Sequence, residues 1–255
     1  MPDESAPAVE PVADRAALFA AHRPYLFAVA YRMLGLAEDA EDVLQDAWLR
    51  FSAGAAEPEH PRTYLVTIVT RLCLDLLRSA RRRREEYVGV WLPEPVRTRE
   101  ALADDLLEKA ESASFAFLLL LERLSPLQRA VLVLHDVFDY SHDEVARACG
   151  RTAAASRQVL RRARLKLGDA RRPGRRRRTP PRRRRPVGHF LATVSRKGDW
   201  GPVVVTELNS RPAVCTYEQN ALTNAILFDV TGDGITAIYV VRNPDKLQRL
   251  AAGGN

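Results

Sequence analysis

Cysteine is scarce in this chain. Cys73, Cys149 and Cys215 are odd in number, far apart and set among apolar or small residues, with no CxxC pair. That pattern excludes a disulfide framework and a thiolate metal site, and it leaves buried, reduced thiols as the expectation. Histidine offers no metal site either: His22, His60, His135, His142 and His189 lack ligand-type spacing, so neither metal nor other cofactor is expected. Long apolar runs are missing too. Nothing approaches the ~20 apolar residues that cross a bilayer, and the opening MPDESAPAVEPVAD is acidic and proline-rich where a signal peptide is basic and then apolar. A cytoplasmic protein with no membrane partner is expected.

Hydrophobic residues make up 46% of the 255, enough for packed cores. The formal charge is +7, but the segment 171–186, RRPGRRRRTPPRRRRP, holds ten arginines, so the rest of the chain sums to −3. The basic character belongs to one segment. Its prolines at 173, 180, 181 and 186 argue against helix and make it an extended tether. Contact with nucleic acid phosphates and a merely charged linker are equally good readings of it.

The most diagnostic text is Leu124–Lys166, LSPLQRAVLVLHDVFDYSHDEVARACGRTAAASRQVLRRARLK. Ser125 and Pro126 supply an N-cap and a first-turn proline, and Leu127, Ala130, Val131, Leu134 and Phe138 follow at helical spacing. Ser141 and Glu144 form a capping box that opens a second helix, and Gly150 ends it in a left-handed turn. Thr152 then caps a third helix bearing Arg157, Gln158, Arg161, Arg162, Arg164 and Lys166, side chains that suit phosphates and base edges in a major groove. The whole reads as a helix-turn-helix. A helical hairpin with a solvated basic face is the bland alternative. Ser156 stands in its favour, because it occupies the place where an apolar residue normally locks the third helix onto the second. A buried hydroxyl without a partner costs roughly 1–3 kcal/mol.

The remaining chain divides by composition. Residues 1–14 are expected to be a disordered leader, with helix from near Asp14. Leu18, His22, Tyr25, Leu26, Val29 and Met33 trace one face, and Pro24 marks a kink or a boundary between two helices. In Leu36–Phe51, Ala40, Val43, Leu44, Ala47, Trp48 and Phe51 form an apolar stripe opposite Glu38, Asp39, Glu41, Asp42 and Asp46. Solvation and docking onto a basic protein surface are both open readings of that acidic face. Acid–base catalysis is a poor third, since an open helix face cannot separate carboxyl pKa values. Arg62–Arg84 is a helix whose exposed side offers Arg62, Thr63, Thr67, Thr70, Arg71, Asp75 and Arg78, then Arg81–Arg84. Dipole complementation explains the basic end, and a groove for single-stranded nucleic acid explains the alternation of hydroxyls with arginines. Residues 85–110, with WLPEPV, form a linker whose Trp91 and Leu92 dock on another part of the molecule. A helix from about Glu111 leads into the helix-turn-helix. Beyond Val187, Phe190, Leu191 and Val194 suggest a short helix. Val203–Glu207, Ala213–Tyr217, Ala225–Val230 and Gly234–Val241 read as strands of a small antiparallel sheet with one covering helix.

Two stretches together, DAEDVLQDAWLRF with PRTYLVTIVTRLCLDLLRSARRRR, and LSPLQRAVLVLHDVFDYSHDEVARACGR, resemble bacterial sigma-70-type factors of the extracytoplasmic-function group. YVGVWLPEP at Tyr87–Pro95 and VVRNPDKL at Val240–Leu247 look like the subgroup with a SnoaL-like C-terminal extension. The resemblance implies a mainly α protein: a region 2 helical bundle (15–84), a linker (85–110), a region 4 helix-turn-helix (111–170), the tether (171–186) and a small, shortened α+β SnoaL-like unit (187–250). It implies that the helix with Asp39, Asp42, Gln45, Asp46 and Trp48 docks on the RNA polymerase core, that Arg62, Thr67, Thr70, Arg71, Asp75 and Arg78 open and read the −10 promoter element, and that Arg157, Gln158, Arg161 and Arg162 read the −35 element. It further implies a regulatory extension, with the WLPEPV linker as its contact. The extension lacks a stretch between Asp199 and Trp200/Val203, so an incomplete sheet with exposed apolar edges is expected, without an obligatory small molecule. A stand-alone helix-turn-helix regulator with a ligand-sensing C-terminal unit is the second function class. An enzyme is the third, and it is disfavoured because the C-terminal unit offers only Glu207, Glu218 and Asp229 as acid–base groups on strands or their ends. No catalytic residue is assigned.

Overall fold

The computed structural model describes residues 10–54, 58–84, 91–98, 112–171, 201–232 and 234–252. Its first helix, α1 (Glu10–Leu34), begins upstream of Asp14, so the expected leader is helical in its last residues and otherwise lies outside the described residues. Pro24 sits inside α1 without dividing it, so the expected boundary between two helices, one of the two readings of this proline, is absent. The reason is burial. Every residue from Tyr25 to Gly35 is buried, on all faces rather than on one stripe, and such burial outweighs the ~3 kcal/mol that an interior proline costs. The walls around α1 include α2 (Ala37–Ala53), α3 (Pro61–Arg84) and the start of the helix-turn-helix.

The helix before that motif, α4 (Phe115–Leu121), starts later than Glu111, where the Ser114 hydroxyl accepts from the Phe117 amide at 3.3 Å. Next comes α5 (Pro126–Leu132), opened by a capping box between Ser125 and Gln128. The single α-helix read to Phe138 widens at Val133–Val137 into a π-helical turn, with the Phe138 amide donating to the Val133 carbonyl. Helix α6 (His142–Cys149) has the Ser141–Glu144 capping box and ends at Gly150 with φ 62°; α7 (Ala153–Arg171) follows, its Ala155 amide donating to Thr152 Oγ1 at 3.2 Å. Ser156 is 1% exposed, as its position demanded. It is not unpartnered: its Oγ lies 3.1 Å from His142 Nδ1, so the hydroxyl that argued against a helix-turn-helix is satisfied from the first residue of α6. One continuous apolar core runs through α1, α2, α3 and the helix-turn-helix.

The C-terminal strands are all present: β1 (Val203–Leu208), β2 (Arg211–Glu218), β3 (Ala221–Thr231) and β4 (Gly234–Val241), an antiparallel meander in sequence order. Asn209–Ser210 (φ 51° and 59°) and Gln219–Asn220 (φ 50° and 65°) make two-residue turns with both residues left-handed, the geometry that matches strand twist. The sheet is covered by α8 (Pro244–Ala252), through Leu247 and Leu250, and by Phe115 and Leu92 from outside the C-terminal segment. The short helix expected at Phe190–Val194, and the tether beyond Arg171, lie outside the described residues. Val205, Val214, Ile226 and Val240 align across all four strands as an apolar row that is only partly covered, with Val205 78% and Val240 41% exposed.

Candidate functional site

Helix α2 presents the acidic face. Asp42, Gln45 and Asp46 are exposed, while Asp39 and Trp48 are half-buried. Asp42, Gln45 and Trp48 line a shallow cleft of about 410 Å³ with Phe19, Arg23 and Glu41, so apolar and charged groups meet there; Asp39 and Asp46 lie outside it. The Trp48 ring packs 5.4 Å from that of Phe19, which fixes the indole as the floor of the cleft. Glu41 is engaged twice, by Arg23 and, at 3.0 Å, by Arg249 of α8. The C-terminal extension therefore touches the acidic helix itself.

Helix α3 carries the second predicted group, and the structure separates its members. Arg71, Asp75 and Arg78 are exposed, with Asp75 and Arg78 paired at 3.0 Å. Arg62 lies over the Tyr25 ring at 4.7 Å, and Thr67 Oγ1 donates back to the Thr63 carbonyl at 2.9 Å. Thr70 is a correction: expected on the exposed side, it is 0% exposed and its Oγ1 has no hydrogen-bond partner. It shares its side of the helix with Val66, Val69, Cys73 and Leu77, all buried. Helix α3 is covered on a second side because α6 packs on it, and Arg71 donates to the Arg147 carbonyl of α6 at 3.1 Å.

On α7, Arg157, Gln158, Arg161 and Arg162 are all exposed. Arg157 and Arg161 line a cleft of about 460 Å³ with His142, Leu160, Arg164 and Leu165; Gln158 and Arg162 face elsewhere. Arg164 is committed to structure, donating twice to Asp136 at 3.0 and 2.6 Å. Burial works against the charged form of Asp136, but the hydrogen bonds from Arg164 and His135 outweigh it and hold the carboxyl below its ordinary range. His135 and His142 stack with ring centroids 4.3 Å apart. Desolvation, then the neighbouring His135, Arg157 and Arg164, lowers the His142 pKa.

The linker and extension meet in a buried polar network that the sequence located only as a contact. Trp91 seats its ring against Gly35, where φ is +75° and a Cβ would come within 2.5 Å of the indole. Lys246 of α8 covers the other part of that ring at 5.0 Å and donates to the Leu92 carbonyl. Three residues on, Glu94 is 5% exposed and accepts from the Ala37 and Glu38 amides at 2.7 and 3.3 Å; burial, only partly offset by these bonds, raises its pKa. Its amide donates to the Gly35 carbonyl, and its carbonyl accepts from the Tyr31 hydroxyl at 2.7 Å. Asn209, 0% exposed in the β1–β2 turn, accepts from the Val96 amide at 3.0 Å and donates to the Tyr31 hydroxyl at 2.7 Å and the Ala113 carbonyl at 3.0 Å. One side chain thus ties α1, the linker and the entry to α4 to the sheet. Glu94, Tyr31, Asn209 and Arg249 were not singled out from sequence; for Asn209 the available signal was an Asn in a two-residue turn.

Acid–base groups in the extension are dispersed. Glu207 and Glu218 are exposed, and Asp229 is held by Arg211 at 3.2 Å and by the Tyr239 hydroxyl at 3.0 Å. Among the described residues no group of three or more His, Cys, Asp or Glu side chains is placed to hold a metal ion. No helix among them is long and apolar enough to cross a membrane.

Comparison with known proteins agrees with this layout. Residues 18–83 match the Sigma-70 region 2 family and residues 114–167 match Sigma-70 region 4. The chain is 40% identical over 237 residues to the ECF RNA polymerase sigma factor SigJ of Mycobacterium tuberculosis, covering 92% of this chain and 71% of that one. It is 38% identical over 186 residues to SigG of the same species, covering 62% of this chain and 50% of that one. It also superposes on the crystal structure of M. tuberculosis SigJ with a TM-score of 0.62 and 27% identity, over 91% of this chain and 98% of that one. A region 2 bundle, a region 4 helix-turn-helix and an α+β extension, all spanned by a relative at that identity, place this chain among the extracytoplasmic-function sigma factors of the sigma-70 family, in the subgroup with a SnoaL-like C-terminal extension.

Proposed function

We propose that this chain binds core RNA polymerase through the face of α2 that carries Asp39, Asp42, Gln45, Asp46 and Trp48, and directs transcription initiation at its own class of promoter. The observation that carries the reading is the cleft on α2, where exposed Asp42 and Gln45 border an aromatic floor of Phe19 and Trp48: a surface of carboxylates around an apolar centre suits a basic protein partner. Exposed Arg157, Gln158, Arg161 and Arg162 on α7 supply the donors for a −35 element, and Arg62, Thr67, Arg71 and Arg78 on α3, with Asp75 as an acceptor, supply the polar groups for a −10 element. Thr70 is buried and joins that second group only when the packing over it opens; α6 also rests on α3, where its Arg147 carbonyl accepts from Arg71, so on this reading the arrangement is that of the polymerase-free chain and binding to both elements requires the two halves to separate. The extension acts on this equilibrium through the linker and through Arg249. The role is binding, carried out in the cytoplasm where polymerase works, with no catalytic step and no cofactor.

The test is reconstitution with core polymerase and sequencing of the RNA 5′ ends. Promoter-dependent transcripts that need this chain, with shared sequence upstream of their starts, are the expected result. Failure to bind core, or specific duplex binding by the isolated chain with no effect on transcription, would replace this reading with that of a stand-alone regulator. Removal of Val187–Asn255 should change promoter output; unchanged transcription would deprive the extension of a regulatory role.

A further inference from the structure

The geometry points to a positioning role for Glu94: it is the N-cap of the polymerase-docking helix α2, borrowed from the linker and held in place by the C-terminal sheet. This rests on the reading that α2 docks on polymerase. Helix α2 begins without a cap of its own. Leu36 has the extended backbone of an N-cap residue (φ −120°, ψ 130°), but its aliphatic side chain accepts nothing. The first amides of the helix, those of Ala37 and Glu38, donate instead to one oxygen of Glu94. A carboxylate there satisfies orphan donors and complements the positive end of the helix.

What holds Glu94 is not local to α2. Pro93 and Pro95 flank it, both buried, and each fixes its own φ. Its amide and carbonyl are bonded to Gly35 and Tyr31, and Val96 is bonded on both its amide and its carbonyl to Asn209. Arg97 then bridges to Leu208 at the end of β1. An unbroken path of buried hydrogen bonds therefore leads from the β1–β2 turn to the cap on α2, Asn209 donating to the Tyr31 hydroxyl and that hydroxyl to the Glu94 carbonyl, while the bonds of Asn209 to Val96 hold the same stretch of linker two residues on. The first turn of α2 already contains Glu38 and Asp39, so a third carboxylate stays there only while the linker holds it against the two amides. The sheet consequently sets how well the docking helix is ordered at its start without touching polymerase.

The experiment is a titration of the full chain against core polymerase, followed by fluorescence anisotropy. Glu94→Ala should weaken binding roughly twofold to thirtyfold, the range of a lost helix cap. Glu94→Gln, which retains an acceptor oxygen, should weaken it less. The discriminating variant is Leu36→Asp in the Glu94→Ala background. It places a capping carboxylate on the residue whose backbone already suits one, and it should restore most of the affinity. Asn209→Ala should weaken binding like Glu94→Ala and add little on top of it, as members of one path are non-additive. A weak Glu94→Ala chain that Leu36→Asp does not rescue, or an unchanged one, overturns the inference. Asp42→Ala keeps the two readings apart: if it leaves affinity intact, docking through α2 has failed; if it weakens binding while Glu94→Ala does not, only the cap has failed.

Discussion

Asn209→Ala is the perturbation whose energetics can be worked most fully from the structure. The side chain is completely buried and makes three hydrogen bonds, to the Val96 amide, the Tyr31 hydroxyl and the Ala113 carbonyl. Tyr31 keeps its own donation to the Glu94 carbonyl, so two groups, Val96 N–H and Ala113 C=O, are left short of a partner. Each such loss in a buried site costs ~1–3 kcal/mol. Asn209 also has φ 51°, and an alanine in the left-handed region adds about 1 kcal/mol. The total, about 3–7 kcal/mol, is large beside the 5–15 kcal/mol that holds a typical domain folded. It falls on the contact of linker with sheet, so the contact should open before the helices unfold. Hydrogen exchange at the Val96 amide should rise by several orders of magnitude, and Trp91 fluorescence should report undocking in urea well below the main transition. Asn209→Gly isolates the backbone part, since glycine tolerates the same φ, and should be about 1 kcal/mol milder. An Asn209→Ala chain with Val96 still protected, and with an unfolding free energy in urea lowered by less than about 1 kcal/mol, would refute the network as the tie between extension and linker.

Three further outcomes are expected. Ser156→Val should be nearly neutral by calorimetry, because roughly 1.5 kcal/mol of added apolar burial is offset by about 1 kcal/mol for the lost bond to His142 and by crowding; a strong gain in stability would show that the bond contributes nothing. The Asp136 carboxyl is held below its ordinary range, so the stability it lends is present above that range and drains away as pH falls through the folded-state pKa. Asp136→Asn should remove that part of the acid sensitivity between pH 5 and 2, an effect of no more than ~1 kcal/mol because Arg164 is largely exposed; unfolding curves that keep their acid slope would argue against it. Gly35→Ala should lower the melting temperature markedly, combining about 1–2 kcal/mol of left-handed strain with expulsion of Trp91, and an unaltered melting curve would contradict the seating of the indole.

Most of the helical half could be read because its signals are local. Ser125, Ser141 and Gly150 announce helix ends through their own backbone chemistry, and each cap was found where the residue type put it. The strands followed from β-branched runs between left-handed turn residues. What escaped was decided by neighbours remote in sequence. Pro24 looked like a break because nothing in Tyr25–Leu34 says that it will be enclosed on all sides. Thr70 looked exposed because its hydroxyl lies among residues that other helices happen to cover. Ser156 looked like a defect because His142, its partner, sits on another helix. Among the site residues, charge and spacing located the exposed faces of α2 and α7. Glu94 and Asn209 were illegible for the opposite reason: a Glu between two prolines and an Asn in a turn are ordinary in isolation, and only the fold gives them to α2 and Val96.

The apolar core of the C-terminal sheet contains Phe115 and Leu92, which belong to the part of the chain before the tether. That loan has a consequence for heredity. A gene segment encoding the extension alone could not be grafted onto another chain as a cassette, since Leu208, Ala213, Ala225 and Leu227 would keep α8 but arrive without the part of their cover that Phe115 and Leu92 supply. Segments 91–115 and 201–252 have to be inherited as a matched set, and exchanges between relatives should succeed only when both travel together.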